Sequence, residues 1–382
     1  MMKGYIKLNS ANKPSYIRED RLGELAAVSA IVFDCDGVLI DVSEAYRKAV
    51  DGTTSLIIEA FTGTCLPEDL VNGAVFHAFK NTGGFNNDWD LTYAIVAYVI
   101  SRMPRRNLDQ LDEVAEASLD FDDPIERFAY ISDNVEKDPL PVLAELEEGL
   151  LDYAGRLDET GVASIEENLD RPLGANLRRA LGRLRSVKSD LIPSIFEQLF
   201  CGTDLYEETF GARSSFDEAG RGFVEESRII LSQRTLDRLA TQLGGLRFGI
   251  ASGSMAAPAR HVLGDVLDEM NPEAQVWMDD VRRAEGEKEE YNLNKPHPFS
   301  LVTASGALEP FENALYVGDT MADLLMVKKS REEDPRYLFA GVYQYTGSDE
   351  VAMKGFLDED ADVVVPTVNE LPSILEYVKG EK

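Results

Sequence analysis

The sequence is short of the residue types that carry most side-chain chemistry outside the carboxylates. Its 382 residues include three cysteines, three histidines and two tryptophans. Cys35, Cys65 and Cys201 show no metal-ligand spacing and are odd in number, so a disulfide framework is not expected and reduced thiols are. His77, His261 and His297 form no catalytic or ligand spacing; His297 reads as a loop histidine. Positive charge is also scarce. There are 38 Lys and Arg against 69 Asp and Glu, for a formal charge of −31. Nucleic acid is excluded as a partner, because its phosphates require a basic face. Any phosphate ligand must be met by local positive charge, since the overall field repels it. No run approaches the roughly 20 apolar residues of a membrane span, and the N-terminus lacks the basic–apolar–small pattern of a secretory signal. A cytoplasmic protein with no membrane partner is expected. Repeats and low-complexity tracts are absent.

A hydrophobic fraction of 44% is that of a globular chain, and the length suits two domains. Residues 30–41 organise the rest. An apolar, β-branched run at 30–33 reads as a buried strand and ends in Asp34-Cys35-Asp36-Gly37. On an extended backbone residues i and i+2 share a side, so the two acids are expected to face one point beyond the strand. Two unpaired acids in a crevice ask for a metal ion, a shared proton or both; alternatively the strand simply stops at a polar turn. Cys35 between them reads as a small buried filler.

Upstream, residues 14–27 suggest one helix packed on a sheet edge. Downstream, residues 43–61, 69–79, 90–103, 140–153 and 165–184 read as helical, with no alternating strand pattern before 245. Strand and helix signals then alternate: strands at 246–251, 275–278, 314–317, 338–342 and 362–365, helices at 257–270, 299–307, from 323 and from 371. Such alternation implies parallel βαβ units. The expected fold is an α/β, doubly wound, mainly parallel Rossmann-like sheet made from residues 1–41 and 245–382, with a large α-helical domain inserted over 42–244.

Three polar clusters fall at the expected strand ends or beside them: Ser252-Gly253-Ser254, Lys295-Pro296-His297-Pro298 and Gly318-Asp319-Thr320-Met321-Ala322-Asp323. A parallel sheet carries its strand ends to one edge, where ligands bind. Two acids, a hydroxyl beside glycine, a lysine and another acid suit phosphoryl transfer, which needs positioning and charge neutralisation.

These four motifs, in this order, resemble those of the haloacid dehalogenase superfamily, and of its subfamily IA, whose helical cap follows the first motif. Asp34 to Asp41 matches the first motif, Ser252 the second, Lys295 the third, and Gly318-Asp319 with Asp323 the fourth. The resemblance covers the α/β part; the insertion is matched only in position and helical character, and is long for such a cap. It implies Asp34 as nucleophile, Asp36 as general acid and base, and Ser252, Gly253 and Lys295 as phosphate-binding groups. It also implies Mg²⁺ on Asp34, the Asp36 backbone carbonyl and Asp319, oriented by Asp323. An aspartate at 36 points to phosphate esters, as dehalogenases and phosphonatases lack one there. Asp34, Asp319 and a dianionic phosphate carry about four negative charges if Asp36 is protonated, against about three positive from Mg²⁺ and Lys295, so Ser252 and backbone dipoles supply the rest.

Residues 80–90, with Lys80, Gly83, Gly84, Asn86, Asn87, Asp88, Trp89 and Asp90, read as a loop capping the helix that follows, with Asp88 or Asp90 at the N-cap. The same amides, lysine and tryptophan suit a substrate-binding lip, and a similar Gly-Gly-x-Asn-x-Asp-Trp run occurs in some subfamily IA relatives. Lys80, Asn86, Asn87 and Trp89 are therefore candidates for substrate contact. Arg105-Arg106 is a second candidate anion contact, and otherwise reads as a basic helix C-terminus. The expected activity is Mg²⁺-dependent hydrolysis of a small phosphorylated metabolite. A phosphomutase with the same nucleophile and a non-catalytic metabolite-binding protein are the alternatives.

The acidic composition also fits a salt-rich cytosol, because at molar salt the Debye length falls to about 3 Å and self-repulsion is screened. The melting temperature is expected to rise between about 0.1 and 2 M KCl. Refolding that proceeds equally well at low salt would overturn this expectation.

Overall fold

Runs such as Val28-Ser29-Ala30-Ile31-Val32-Phe33 are apolar on both sides of the pleat, which suits a strand covered by helices on both faces. The computed structural model bears this out, and describes residues 4–9, 13–85, 87–140, 145–182, 186–216, 220–288, 292–346 and 348–380. The chain divides into two compact units, Met1–Ser43 with Ser227–Lys382, and Glu44–Glu226.

Among the described residues the first unit carries ten strands: β1 (Tyr5–Asn9), β2 (Pro14–Arg18), β3 (Val28–Phe33), β4 (Ile40–Asp41), β5 (Arg228–Ile229), β6 (Phe248–Ala251), β7 (Gln275–Val276), β8 (Asn313–Gly318), β9 (Tyr337–Val342) and β10 (Val363–Val365). Eight form one sheet in the order β1-β2-β10-β9-β8-β3-β6-β7. The six from β10 to β7 are parallel, whereas β2 joins β10 antiparallel and pairs with β1 as a hairpin. The chain builds outward from β3 to β6 and β7, then returns to the other side of β3 for β8, β9 and β10. The strand order therefore reverses at β3, the position where open α/β sheets bind ligands.

The period of two sorts the strand residues between two helical layers. Ile31, Phe33, Leu315 and Val317 face one layer with Leu236, Leu239, Leu371 and Leu375. Ala30, Val32, Ala314 and Tyr316 face the other, with Leu301, Ala304, Leu324 and Val327. Cys35 is fully buried in the first layer.

Two expectations change here. Residues 14–18 form a strand, and the helical part is reduced to a 3-10 turn at Glu19–Arg21 and the short helix Leu22–Ala26. Ser15 and Ile17 are buried while Pro14, Tyr16 and Arg18 are partly exposed, an alternation that pairing with β10 rewards and a helix would not. Residues 227–244, expected in the insertion, belong to the α/β unit. Helix Gln233–Leu243 buries Leu236 and Leu239 in the first layer, in contact with helix Leu371–Gly380, and β5 pairs antiparallel with β4. A two-residue strand has no legible pattern.

The second unit is helical, and its central member is helix Asp88–Ser101, whose residues from Asp90 to Ser101 are all buried. A helix apolar on every side belongs in a core. Helices Leu146–Ala154 and Leu191–Cys201 pack on it, and Tyr98 stacks on Tyr153 with ring centroids 4.8 Å apart.

In the first unit, Asp362 lies just before β10 with no exposed side-chain surface. Its carboxylate accepts from the Arg331 guanidinium and from the Phe339 N–H at 2.8 Å, and Arg21 Nε lies 3.5 Å away. Removing one partner of a buried ion pair strands the other charge. Asp362→Ala is expected to cost about 3–5 kcal/mol of stability by urea denaturation; a change under about 1 kcal/mol would show that Arg331 finds water instead.

Candidate active site

The sheet register brings the motifs together. Phe33 pairs with Ile250 on one side and Val317 on the other, so Asp34, Ala251 and Gly318 emerge at one level, followed by Ser252 and Asp319. The Asp34 N–H continues the ladder to the Val317 carbonyl at 2.8 Å. Beyond it the chain leaves the extended path. Leu39 and Ile40 N–H groups both donate to the Cys35 carbonyl, at 2.7 and 3.0 Å, and Gly37 turns at φ +73°. The i, i+2 rule therefore lapses at Cys35. The carboxylates brought together are those of Asp34, Asp319 and Asp323, each offering one oxygen within 4.8 Å of the others. Asp36 contributes to the field on Asp319 but stands outside that trio.

Lys295 closes the cluster. Its ammonium is 2.8 Å from Asp34 Oδ2, 2.8 Å from Asp323 Oδ1 and 2.6 Å from the Tyr316 hydroxyl. Asp34 Oδ1 accepts from the Cys35 N–H at 2.8 Å. Asp323 sits in a capping box: its Oδ2 accepts from the Thr320 N–H and hydroxyl at 3.0 and 2.6 Å, and its own N–H donates to Thr320 Oγ1 at 3.3 Å. That box starts helix Met321–Glu333 and fixes the Asp323 rotamer. Two glycines make room. A Cβ on Gly37 would stand 2.2 Å from Asp319 Oδ2, and one on Gly318 2.6 Å from Asp323 Cγ.

Burial pushes the Asp34 carboxyl up to about 6, with Lys295 opposing and the charge of Asp323 adding to the rise. Asp319 is raised well above the carboxylate range by burial, then by the charges of Asp323 and Asp34. Burial disfavours the Lys295 ammonium, but Asp323 and Asp34 outweigh it and hold the proton more tightly than usual. Three carboxylates against one ammonium leave two formal negative charges in a set of hard oxygen donors. Such a set fits a divalent cation of the Mg²⁺ type.

Ser252 is buried at the end of β6, its Oγ 3.0 Å from Ser254 Oγ and accepting from the Ser254 N–H at 3.2 Å. Gly253 is exposed in the same turn. His297 lies in the loop before helix Phe299–Gly306, its Nδ1 accepting from the Phe299 N–H at 3.2 Å.

Lys80, Asn87 and Trp89, singled out in the loop at 80–90, have structural partners within the helical unit. Asn87, rather than Asp88 or Asp90, caps helix Asp88–Ser101 by accepting from the Trp89 and Asp90 N–H groups. Asn and Asp cap equally well; here Asp88 is drawn to Lys80, 2.9 Å away. Trp89 Nε1 donates to Glu197 Oε1 at 2.9 Å. Asn86 lies outside the described residues. Arg105 opens helix Arg105–Ser118 and pairs with Asp109, so it is not a helix C-terminus.

Sequence reasoning passed over Tyr316 and Thr320. Tyr316 read as one more apolar position of β8, although a fully buried tyrosine needs a partner for its hydroxyl. Thr320, three residues before Asp323, carries a capping signature that was legible.

A family model of the haloacid dehalogenase-like hydrolases matches residues 28–331, and the chain belongs to that family. Among solved structures, an X-ray structure of a Northeast Structural Genomics Consortium target superposes with a TM-score of 0.65 at 20% identity, covering 93% of this chain and all of that one. The phosphatase Tt82 from Thermococcus thioreducens gives a TM-score of 0.41 at 19% identity, over 82% of this chain and 92% of its own. The first likeness is one of fold alone, and the second falls short of a shared-fold superposition. No curated protein matches significantly. Among the described residues no helix is long and apolar enough to cross a membrane.

A side chain at Gly37 would strain the turn and displace Asp319. Gly37→Ala is expected to lose about 1–3 kcal/mol by urea denaturation and to abolish any rise in melting temperature on adding a divalent cation. Retention of both properties would show that the turn relaxes without cost to Asp319.

Proposed function

We propose that this chain is a Mg²⁺-dependent phosphatase that hydrolyses a small phosphorylated metabolite through an aspartyl-phosphate. The observation that carries this reading is the set of Asp34, Asp319 and Asp323, two of them paired with Lys295, with two formal negative charges at the reversal point of the sheet. Family membership supports it.

In this reading Asp34, Asp319 and the Asp36 carbonyl would hold Mg²⁺, with Asp323 orienting the set. When bound, the ion offsets charge on the phosphoryl oxygens and lowers the barrier to attack by an anion. The protein's own groups do the rest. The Cys35 N–H and Lys295 fix both oxygens of Asp34, so attack on phosphorus begins from one orientation. The Asp34–phosphorus bond forms as the ester P–O bond breaks, and Asp36 gives its proton to the leaving alkoxide. Asp36 then takes a proton from water, which attacks phosphorus and frees Asp34 and inorganic phosphate. Ser252 and the N–H of Gly253 receive phosphoryl oxygens, and Lys295 offsets their charge. A carboxyl at position 36 gives the alkoxide of an ester the proton it needs. Lys80, Asn86, Asn87 and Trp89 are the candidates for reading the rest of the substrate.

Phosphate release from a panel of phosphorylated metabolites with Mg²⁺ tests the reading. At least one ester is expected to be hydrolysed, and Asp34→Asn to lower that turnover by at least about a thousandfold. Wild-type turnover in Asp34→Asn would remove the nucleophile assignment. Isomerised sugar phosphate in place of free phosphate would convert the reading to a mutase.

A further inference from the structure

Tyr316 is a fully buried member of β8 whose hydroxyl stands where three motifs meet. It accepts from Lys295 Nζ at 2.6 Å, lies 2.9 Å from the Ala251 carbonyl as a donor, and is 3.1 Å from Asp323 Oδ1. Each contact reaches a different part of the site. Ala251 ends β6 and immediately precedes Ser252, Lys295 comes from the loop before helix Phe299–Gly306, and Asp323 lies in the first turn of helix Met321–Glu333.

An ammonium has three N–H donors and no acceptor. Among the described residues the acceptors around Lys295 are also three: Asp34 Oδ2, Asp323 Oδ1 and the Tyr316 hydroxyl. The two carboxylates are themselves drawn toward any cation bound between them. The hydroxyl is different. It is neutral, it is carried by a central strand, and its own proton is directed to a backbone carbonyl or to Asp323, so its place does not change with the charge state of a ligand. We propose that Tyr316 is a positioning residue: its hydroxyl anchors one N–H of Lys295 and so sets where the ammonium stands relative to Asp34 and the turn at Ser252. Tyr316 touches no substrate. Without the hydroxyl, Lys295 keeps its charge but gains a free N–H, and the ammonium can swing between the two carboxylates.

The kinetic part of the test rests on the phosphatase reading; the spectroscopic part does not. Tyr316→Phe removes one oxygen and keeps the ring. Tyr337→Phe is the control, since Tyr337 is a buried sheet tyrosine whose hydroxyl pairs with Ser305 Oγ at 2.7 Å, outside the site. In a ¹⁵N-correlated spectrum of the lysine ammonium groups, wild type is expected to show a slowly exchanging Lys295 signal. Tyr316→Phe should lose it and Tyr337→Phe should keep it. On an ester that wild type hydrolyses with Mg²⁺, Tyr316→Phe should lower kcat about ten- to a hundredfold with KM within about twofold, and weaken orthovanadate inhibition by a similar factor. Tyr337→Phe should change neither. A Lys295 signal that persists in Tyr316→Phe, or kcat within twofold of wild type, overturns the proposal. If Tyr316→Phe does not fold, solvent-rate exchange of the Lys295 ammonium in wild type overturns it by itself. If wild type hydrolyses no phosphate ester, the phosphatase reading fails and the ammonium signal alone decides the role of Tyr316.

Discussion

Three carboxylates share one buried corner of this protein with a single ammonium, and that concentration of like charge is the constraint on which the rest of the α/β unit depends. Asp34, Asp319 and Asp323 repel one another, and burial raises the penalty on the charged forms of Asp34 and Asp319. Two of the three are held from behind, Asp34 by the β3 ladder and the Cys35 N–H and Asp323 by its capping box, while Gly37 leaves room for Asp319. Lys295 lowers the electrostatic cost without removing it. Strain of this kind is what one expects of a site built for a charged ligand rather than for stability.

Much of this was legible in the sequence because parallel sheets are regular. Once β3, β6 and β8 are recognised as parallel neighbours, the residues that follow them must emerge on one edge, and Asp34, Ser252 and Asp319 follow from chain order alone. Lys295 and Asp323 were legible through resemblance rather than geometry. The N-terminal hairpin was not legible, because β2 is stabilised by pairing with β10 from the opposite end of the chain, and local patterning cannot register a non-local partner.

Other parts were hidden for more local reasons. Asp34 and Asp36 looked alike on an extended strand, but the chain bends at Cys35 and Asp36 stands outside the carboxylate trio, and nothing in the apolar run announces where extension stops. The cap of helix Asp88–Ser101 fell to Asn87 because the neighbouring Asp88 pairs with Lys80, a competition between equal capping residues that only three dimensions decide. Tyr316 was hidden by its strand: five of six positions in β8 are buried, and a hydroxyl among them looks like one more hydrophobe.

The short pairing of β4 with β5 has a consequence for chain entropy. Asp41 lies opposite Arg228, and the Ile230 N–H donates to the Leu39 carbonyl at 2.8 Å, so the chain departs for the helical unit and returns at adjacent backbone positions. Loop-closure entropy grows only logarithmically, by about 0.6 kcal/mol for each doubling of length. Residues 44–226 thus form a long excursion, and by this rule tying its ends costs roughly 3 kcal/mol more than closing a four-residue turn. The order β3-β6-β7 survives the interruption because the two-residue ladder returns the chain to where it left.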